Sequence, residues 1–362
     1  MTANESAVTI DRLEEYLERQ GISVAGIEVM ADGLNVLCSV STPAESNAYV
    51  LRRPNKLRES DLFNGLRAEY RLLSQLAETS VPTPEPIHYC TDTTVFDGEW
   101  FLMEYLEGAP IPLGSDHPQR FCNPTARRTL AHGVVDRLAA IHTLSTAPFD
   151  DVCERQTPLE QVAIAKDRLE TAATVTGRAF PRLRDVGTWL EDNAPTTVRT
   201  TLVHGDYRPG NLLFADDEPT ITGVLDWETA MLGDPLTELG YLLLRWRDEG
   251  DPTPCLDSLE SKYAGSDALE QLRETNERGL APFTAEPGSP TRQELVSRYE
   301  QRTGYAFEHE RFYRAHAAFM LATVWVDLHR HDVEAGCDSD WEPHIEYMAM
   351  VATAIVDGEL SL

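Results

Sequence analysis

Apolar positions change their rhythm along the chain, and the change divides it in two. Residues 8–20 place Leu13, Tyr16 and Leu17 on one helical face, with Gly21 as a stop. Residues 27–53 alternate and are rich in β-branched side chains. That pattern predicts two or three antiparallel strands, with turns at Asp32-Gly33 and near Pro43-Ala44, closed by Pro54. Helical spacing returns over 60–79 through Leu62, Leu66, Tyr70, Leu73 and Leu76, with Ser60 or Asp61 as the expected N-cap. After the stiff connection VPTPEP, two more strands are expected around 87–91 and 100–105.

Beyond residue 105 the pattern is mainly helical. Amphipathic helices are predicted over 124–144, 158–175, 181–192, 308–330 and 341–357. Residues 200–226 revert to short strands around a loop. Asp234-Pro235 fits an N-cap with proline at the first helical position, opening a helix that runs to Trp246. Thr291 and Glu294 fit a capping box. Residues 248–290, rich in Asp, Glu, Pro and Gly, are expected to be partly mobile. The whole reads as an α+β protein. A small N-lobe of antiparallel sheet plus helix spans 1–105, and a larger, mainly helical C-lobe spans 106–362. Such a two-lobed unit suits 362 residues.

Charge narrows the possible partners. With 31 basic against 60 acidic residues the net charge is -29, which disfavours nucleic acids and anionic membranes. Only Lys56, Lys166 and Lys262 are lysines, and the acid is spread among apolar residues over the whole length. A high-salt cytoplasm would screen that self-repulsion, so a halophilic source is expected. Six well-separated cysteines form no C-x-x-C pair, as in a reduced intracellular protein. Neither a signal peptide nor an apolar stretch of spanning length is evident, and a cytoplasmic location is expected. The sequence assigns no oligomeric state.

The chemistry concentrates in LVHGDYRPGNLLF (202–214) and VLDWE (224–228). Asp206 follows one apolar strand, Asn211 lies five residues on, and Asp226 ends a second apolar strand. Phosphoryl transfer needs a carboxylate to accept a hydroxyl proton and oxygen ligands to hold Mg²⁺ against nucleotide phosphates. These three residues supply both. Taken singly, Asp206 and Asn211 are equally good turn formers; the combined H-G-D-x-x-x-x-N and D-x-E pattern is much harder to read that way.

The motif pair resembles the aminoglycoside phosphotransferase family, whose fold is similar to that of protein kinases. The sequence is most similar to the branch also found fused to acyl-CoA dehydrogenases. The residues that carry this are VLRRP (50–54), FLMEYLEG (101–108), LAAIHTL (138–144), VHGDYRPGNLLF (203–214), VLDWETAMLGDP (224–235) and SPTRQELVSRYEQRTG (289–304). The resemblance implies a bilobal kinase-like fold and an ATP- and Mg²⁺-dependent enzyme that phosphorylates a hydroxyl of a small molecule. It implies Asp206 as catalytic base and Asn211 and Asp226 as Mg²⁺ ligands. Arg52 becomes the phosphate-binding cation, where protein kinases carry lysine, and Glu69 its partner. Gly33 and Asn35 would lie in the loop over the phosphates, and the backbone of Glu104 and Leu106 would bind adenine. Glu228 reaches the metal through water or caps local backbone. Lys56, past Pro54, is the weaker alternative to Arg52.

Other conspicuous residues read as structural. His142 is expected to be a hydrogen-bonded core histidine, His204 a support of the catalytic loop, and Asp234 an N-cap. The aromatic helix 312–325 is expected to be core, and His329, His331 and Asp332 to be exposed near a helix end. Residues 292–314 carry Arg292, Arg298, Arg302, Arg311 and Arg314 against four glutamates, a net of +1. They are either surface pairs with those glutamates or the border of an acceptor site for an anion. With the branch resemblance, the second reading favours a hydroxy acid or hydroxyacyl-CoA acceptor. The alternatives are an aminoglycoside or a choline- or homoserine-type acceptor, or a nucleotide-binding module without catalysis.

Overall fold

The computed structural model describes residues 3–55, 63–360 and 362. In chain order, α1 (Ala3–Arg19) is followed by β1 (Gly26–Asp32), β2 (Asn35–Ser41), β3 (Tyr49–Pro54), α2 (Leu66–Leu76), β4 (Pro86–Cys90), a short α3 (Thr93–Phe96) and β5 (Trp100–Glu104). The five strands form an antiparallel sheet in the order β1-β2-β3-β5-β4.

Strand alternation splits this sheet between two cores. Leu51, Trp100 and Leu102 pack with Leu13 and Leu17 of α1. Val50, Phe101 and Met103 point the other way, toward Leu72, Leu73 and Leu76 of α2 and the core of the second half. Arg52 pairs in register with Phe101 and so shares that second face. The α2 stripe of Leu66, Leu72, Leu73 and Leu76 includes one acid, Glu69, on the same buried side. A carboxylate in such a stripe needs a cation opposite it.

The α2 helix starts at Leu66 behind Gly65, which makes no side-chain cap bond. Residues 63–65, where the periodicity suggested helix, precede it. The expected caps Ser60 and Asp61, with Leu62 and Lys56, lie outside the described residues.

The remainder comprises α4 (Pro124–His142), α5 (Pro158–Thr176), α6 (Pro181–Asp192), β6 (Thr201–Val203), β7 (Leu212–Phe214), β8 (Ile221–Val224), β9 (Met231–Gly233), α7 (Pro235–Leu244), α8 (Asp257–Tyr263), α9 (Asp267–Arg278), α10 (Arg292–Thr303), α11 (Glu310–Glu334) and α12 (Glu342–Asp357). Two small antiparallel pairs, β6 with β9 and β7 with β8, frame the motif loop. The α11 helix is central and packs on α5, α7 and α12.

Both predicted caps form. Asp234 accepts from the Leu236 N–H (2.9 Å), and Thr291 and Glu294 close a reciprocal capping box. Residues 248–290 correct the expectation of mobility. They hold α8 and α9, whose Leu259, Leu269 and Leu272 are buried, and both helices rest on α12. No helix among the described residues is long and apolar enough to cross a membrane.

Candidate active site

The loop from His204 to Asn211 is held from beneath by an acid that the sequence reading passed over. Glu238, buried in α7, accepts hydrogen bonds from the backbone N–H of His204 (3.0 Å) and Gly205 (2.6 Å). Its carboxylate also meets Nε2 of buried His142 (3.0 Å), whose Nδ1 meets the Tyr299 hydroxyl at 2.7 Å. His204 Nε2 lies 2.7 Å from the Leu225 carbonyl, while its Nδ1 accepts from the Asp206 N–H (3.2 Å). His142 and His204 therefore have the supporting contacts expected of them. Gly205 has φ +86°, and a Cβ there would come within 2.3 Å of the Thr229 carbonyl, so the loop admits only glycine. Asn211 donates from Nδ2 to the Asp206 carbonyl (2.9 Å) and to its Oδ2 (2.8 Å).

Asp206 is surrounded by donors. Arg208 Nε donates to Oδ2 (3.0 Å) and the Tyr241 hydroxyl to Oδ1. Arg245 lies over the Tyr241 ring at 3.7 Å and donates to its hydroxyl (2.5 Å). Removal of water would raise the Asp206 pKa, but Arg208, Arg245 and the Tyr241 hydrogen bond outweigh it. The carboxyl is held below its ordinary value and is ionised at neutral pH. Arg208 sits inside the quoted motif. Glu238, Tyr241 and Arg245 were legible as polar residues at i, i+3 and i+7 in the otherwise apolar PLTELGYLLLR, a spacing that puts them on one helix face.

Asp226, just past β8, adopts the left-handed backbone conformation (φ 61°). Its carboxylate meets Arg52 Nη1 at 2.6 Å. Arg52 is 2% exposed and also pairs with Glu69 (3.1 Å from Nε) and with Glu228. Burial disfavours its charge, but the three carboxylates together hold its pKa above the ordinary value. Asp226 is held below its own: removal of water raises it, Arg52 lowers it more, and His204 adds to the lowering. Asn35 Nδ2 donates to Glu228 Oε2 (3.0 Å), tying the β1–β2 turn to the same cluster. Glu228 thus faces Arg52 and Asn35.

The structure brings together Asp206, Asn211, Asp226, Arg52, Glu69 and Asn35 from five separate places in the chain. Gly33 lies in the β1–β2 turn, where its N–H donates to the Asn35 carbonyl (3.1 Å). At the end of β5 the Glu104 N–H is used by the sheet, donating to the Glu85 carbonyl (2.8 Å), and Leu106 follows just past the strand.

Two readings need correction. His329 is buried, because Ser339 and α12 close over it: its Nδ1 lies 2.8 Å from the Ser339 hydroxyl. The arginines of 292–314 mostly pair with distant aspartates rather than neighbouring glutamates. Arg298 and Arg302 grip Asp136, and Arg292 grips Asp248 and Asp251. Arg314 keeps a neighbour, Glu310, as partner.

The donor set fits a hard divalent cation. Arg52 takes Oδ1 of Asp226 and no hydrogen bond reaches Oδ2 among the described residues, while 44% of the side chain stays exposed. Asn211 uses its Nδ2 on Asp206, which leaves its carbonyl oxygen as an acceptor. One carboxylate and one amide oxygen match the few protein ligands that Mg²⁺ takes alongside phosphates and water.

Comparison with known proteins agrees with this geometry. The model of the phosphotransferase enzyme family matches residues 29–275. Acyl-CoA dehydrogenase family member 11 of Pongo abelii is 28% identical over 205 residues, 54% of this chain but only 25% of that protein. A crystal structure from Ralstonia eutropha, provisionally described as an aminoglycoside phosphotransferase, superposes with a TM-score of 0.74 at 23% identity, covering 97% of this chain and 99% of that one. The GDP and kanamycin complex of APH(2'')-IIIa superposes with a TM-score of 0.61 at 15% identity, covering 94% and 99%. The chain belongs to the phosphotransferase enzyme family and has its two-lobed kinase-like fold.

Proposed function

We propose that the protein transfers the γ-phosphoryl group of ATP to a hydroxyl of a small hydroxylated acid or its acyl-CoA. The nucleotide would lie between the lobes formed by residues 1–105 and 106–362, with adenine against the backbone of Glu104 and Leu106. Gly33 and Asn35 would sit over the phosphates, and Arg52, oriented by Glu69, would bind them. Asn211 and Asp226 would hold Mg²⁺, which neutralises phosphate charge when bound. Asp206 accepts the proton of the attacking hydroxyl. Tyr241 and Asn211 fix the orientation of its carboxylate, and Glu238 fixes the loop that carries it.

The observation that carries this reading is the convergence on Asp206. An ionised carboxylate is held by three donors, on a loop anchored by a buried acid, near a second acid suited to a cation. The likeness to acyl-CoA dehydrogenase family member 11 supports an acid or acyl acceptor over an aminoglycoside. The test is ATP consumption in high salt across a library of hydroxylated metabolites that includes hydroxy acids, hydroxyacyl-CoAs, choline, homoserine and kanamycin. Turnover confined to the acids or acyl-CoAs is expected. Turnover with kanamycin alone would refute the acceptor class. ATP binding with no turnover on any member would leave a nucleotide-binding module.

A further inference from the structure

Beside the catalytic loop lies a cavity of about 90 Å³, enough for several water molecules. In a protein of net charge -29, its lining holds four arginines against one aspartate, Asp251. Two of the arginines are satisfied within the protein. Arg292 grips Asp251 through two hydrogen bonds (2.8 and 2.5 Å), and Arg247 donates to the Asn276 carbonyl (2.8 Å) and the Thr253 hydroxyl (2.9 Å).

The other two are held more loosely. Arg245 is 4% exposed and Arg314 is 3% exposed, and the Nε of each has no hydrogen-bond partner. Among the described residues Arg245 donates only to the carbonyl (3.1 Å) and hydroxyl (2.5 Å) of Tyr241, and to no carboxylate. Arg314 donates to the Leu360 carbonyl (2.9 Å) and, at 3.4 Å, to the partly exposed Glu310 one turn earlier on α11. Arg245 shares the charge of Asp206 with Arg208, and Arg314 shares that of Asp251 with Arg292, so an anion bound from outside relieves a local excess of buried cations. Part of the rest of the wall is apolar, with Trp246, Met348, Val351 and Ile355. Two cations at one side and hydrocarbon at the other match a carboxylate carrying a short alkyl chain.

The cavity is continuous in its lining with the catalytic loop. A smaller cavity lined by Arg208, Pro209 and Gly210 shares Arg245 and Leu280 with it. Arg245 also follows Tyr241, which touches Asp206, by about one helical turn of 5.4 Å. A carboxylate at Arg245 would therefore stand a few bonds from a hydroxyl presented to Asp206. We infer that Arg245 and Arg314 form a carboxylate-binding site that seats the acid group of the acceptor; the word acceptor rests on the phosphotransfer reading above. This site favours a free hydroxy acid over its thioester, whose acid group is masked, and rejects polycationic acceptors.

Equilibrium binding of hexanoate and hexanamide, which carry no hydroxyl, tests the site apart from any phosphotransfer. The whole chain is titrated at fixed high ionic strength by calorimetry. Hexanoate is expected to bind at least about tenfold tighter than hexanamide. Arg314→Gln should abolish that preference and Arg314→Lys should keep part of it, with melting temperature as the check on folding. Equal binding of the two ligands by the wild-type protein, or a preference unchanged in Arg314→Gln, overturns the site. Transfer is then measured with a hydroxyhexanoate, its amide and its CoA thioester. Faster transfer to the thioester than to the free acid also overturns the assignment. Hexanoate binding without transfer to any of the three confirms the site and refutes the phosphotransfer reading alone.

Discussion

Replacing Arg52 with Met removes one cation from among three carboxylates and separates a structural role from a chemical one. Glu69 is 2% exposed and pairs with Arg52 at 3.1 Å, so the substitution takes that cation away from a carboxylate in the apolar stripe of α2. Removing one partner of a buried pair costs about 3–5 kcal/mol. Asp226 is far more open and adds little to that cost, because water can reach it. A second substitution, Glu69→Leu, removes the stranded charge and fills the site with hydrocarbon. The double variant should therefore recover about 2 kcal/mol or more of the loss, although neither variant restores nucleotide affinity. Urea denaturation followed by tryptophan fluorescence measures the stabilities, and nucleotide titration measures the binding. A double variant no more stable than Arg52→Met would show that the Arg52–Glu69 pair is not the source of the destabilisation. A single variant with wild-type nucleotide affinity would refute the phosphate-binding role of Arg52.

Gly205→Ala should destabilise the protein by at least about 1–3 kcal/mol and abolish turnover, since its Cβ would meet the Thr229 carbonyl in a left-handed backbone; wild-type unfolding midpoints would contradict this. Asp226 has its folded pKa below the ordinary value, so its contribution is present above the ordinary carboxylate pKa of about 3.9 and is lost as pH falls through the lower folded value. The stability gap between wild type and Asp226→Asn, measured by denaturation from neutral to acidic pH, should accordingly shrink only in that acid range. A gap that closes near neutrality would contradict the assigned shift. Between about 0.1 and 2 M KCl the melting temperature should rise, because screening relieves repulsion in a chain of net charge -29; a flat or falling curve would remove the halophilic expectation.

What the sequence disclosed depended on how local each signal was. Asp206, Asn211 and Asp226 stand within a stretch of 21 residues bounded by short apolar strands, so their grouping could be read directly. Arg52 and Glu69 are 174 and 157 residues from Asp226, and only a family resemblance connected them to it. Glu238, Tyr241 and Arg245 escaped notice because an apolar helix reads as core, and their common face gains meaning only once β6 is seen to deliver the loop onto it. The 248–290 segment looked mobile because it is rich in Asp, Glu, Pro and Gly. Leu269 and Leu272 are nevertheless one helical turn apart, and α12 supplies the surface they need. His329 looked exposed near the end of α11; burial comes from the following loop and α12, a long-range contact that no local pattern announces. The arginines of 292–314 were noticed as a local charge excess, but most of their partners, Asp136, Asp248 and Asp251, come from other parts of the chain.

The central claim is that Asp206 takes the proton while a phosphoryl group moves from nucleotide to a hydroxyl. It is tested most directly by ³¹P NMR of ATP, Mg²⁺ and a hydroxy acid with wild type and with Asp206→Asn. The substitution keeps the side chain's size but not its basicity. Wild type should build up a phosphate-ester resonance, while Asp206→Asn still binds ATP but forms the ester about 10²–10⁴ times more slowly. Ester formation by Asp206→Asn at the wild-type rate would contradict the account.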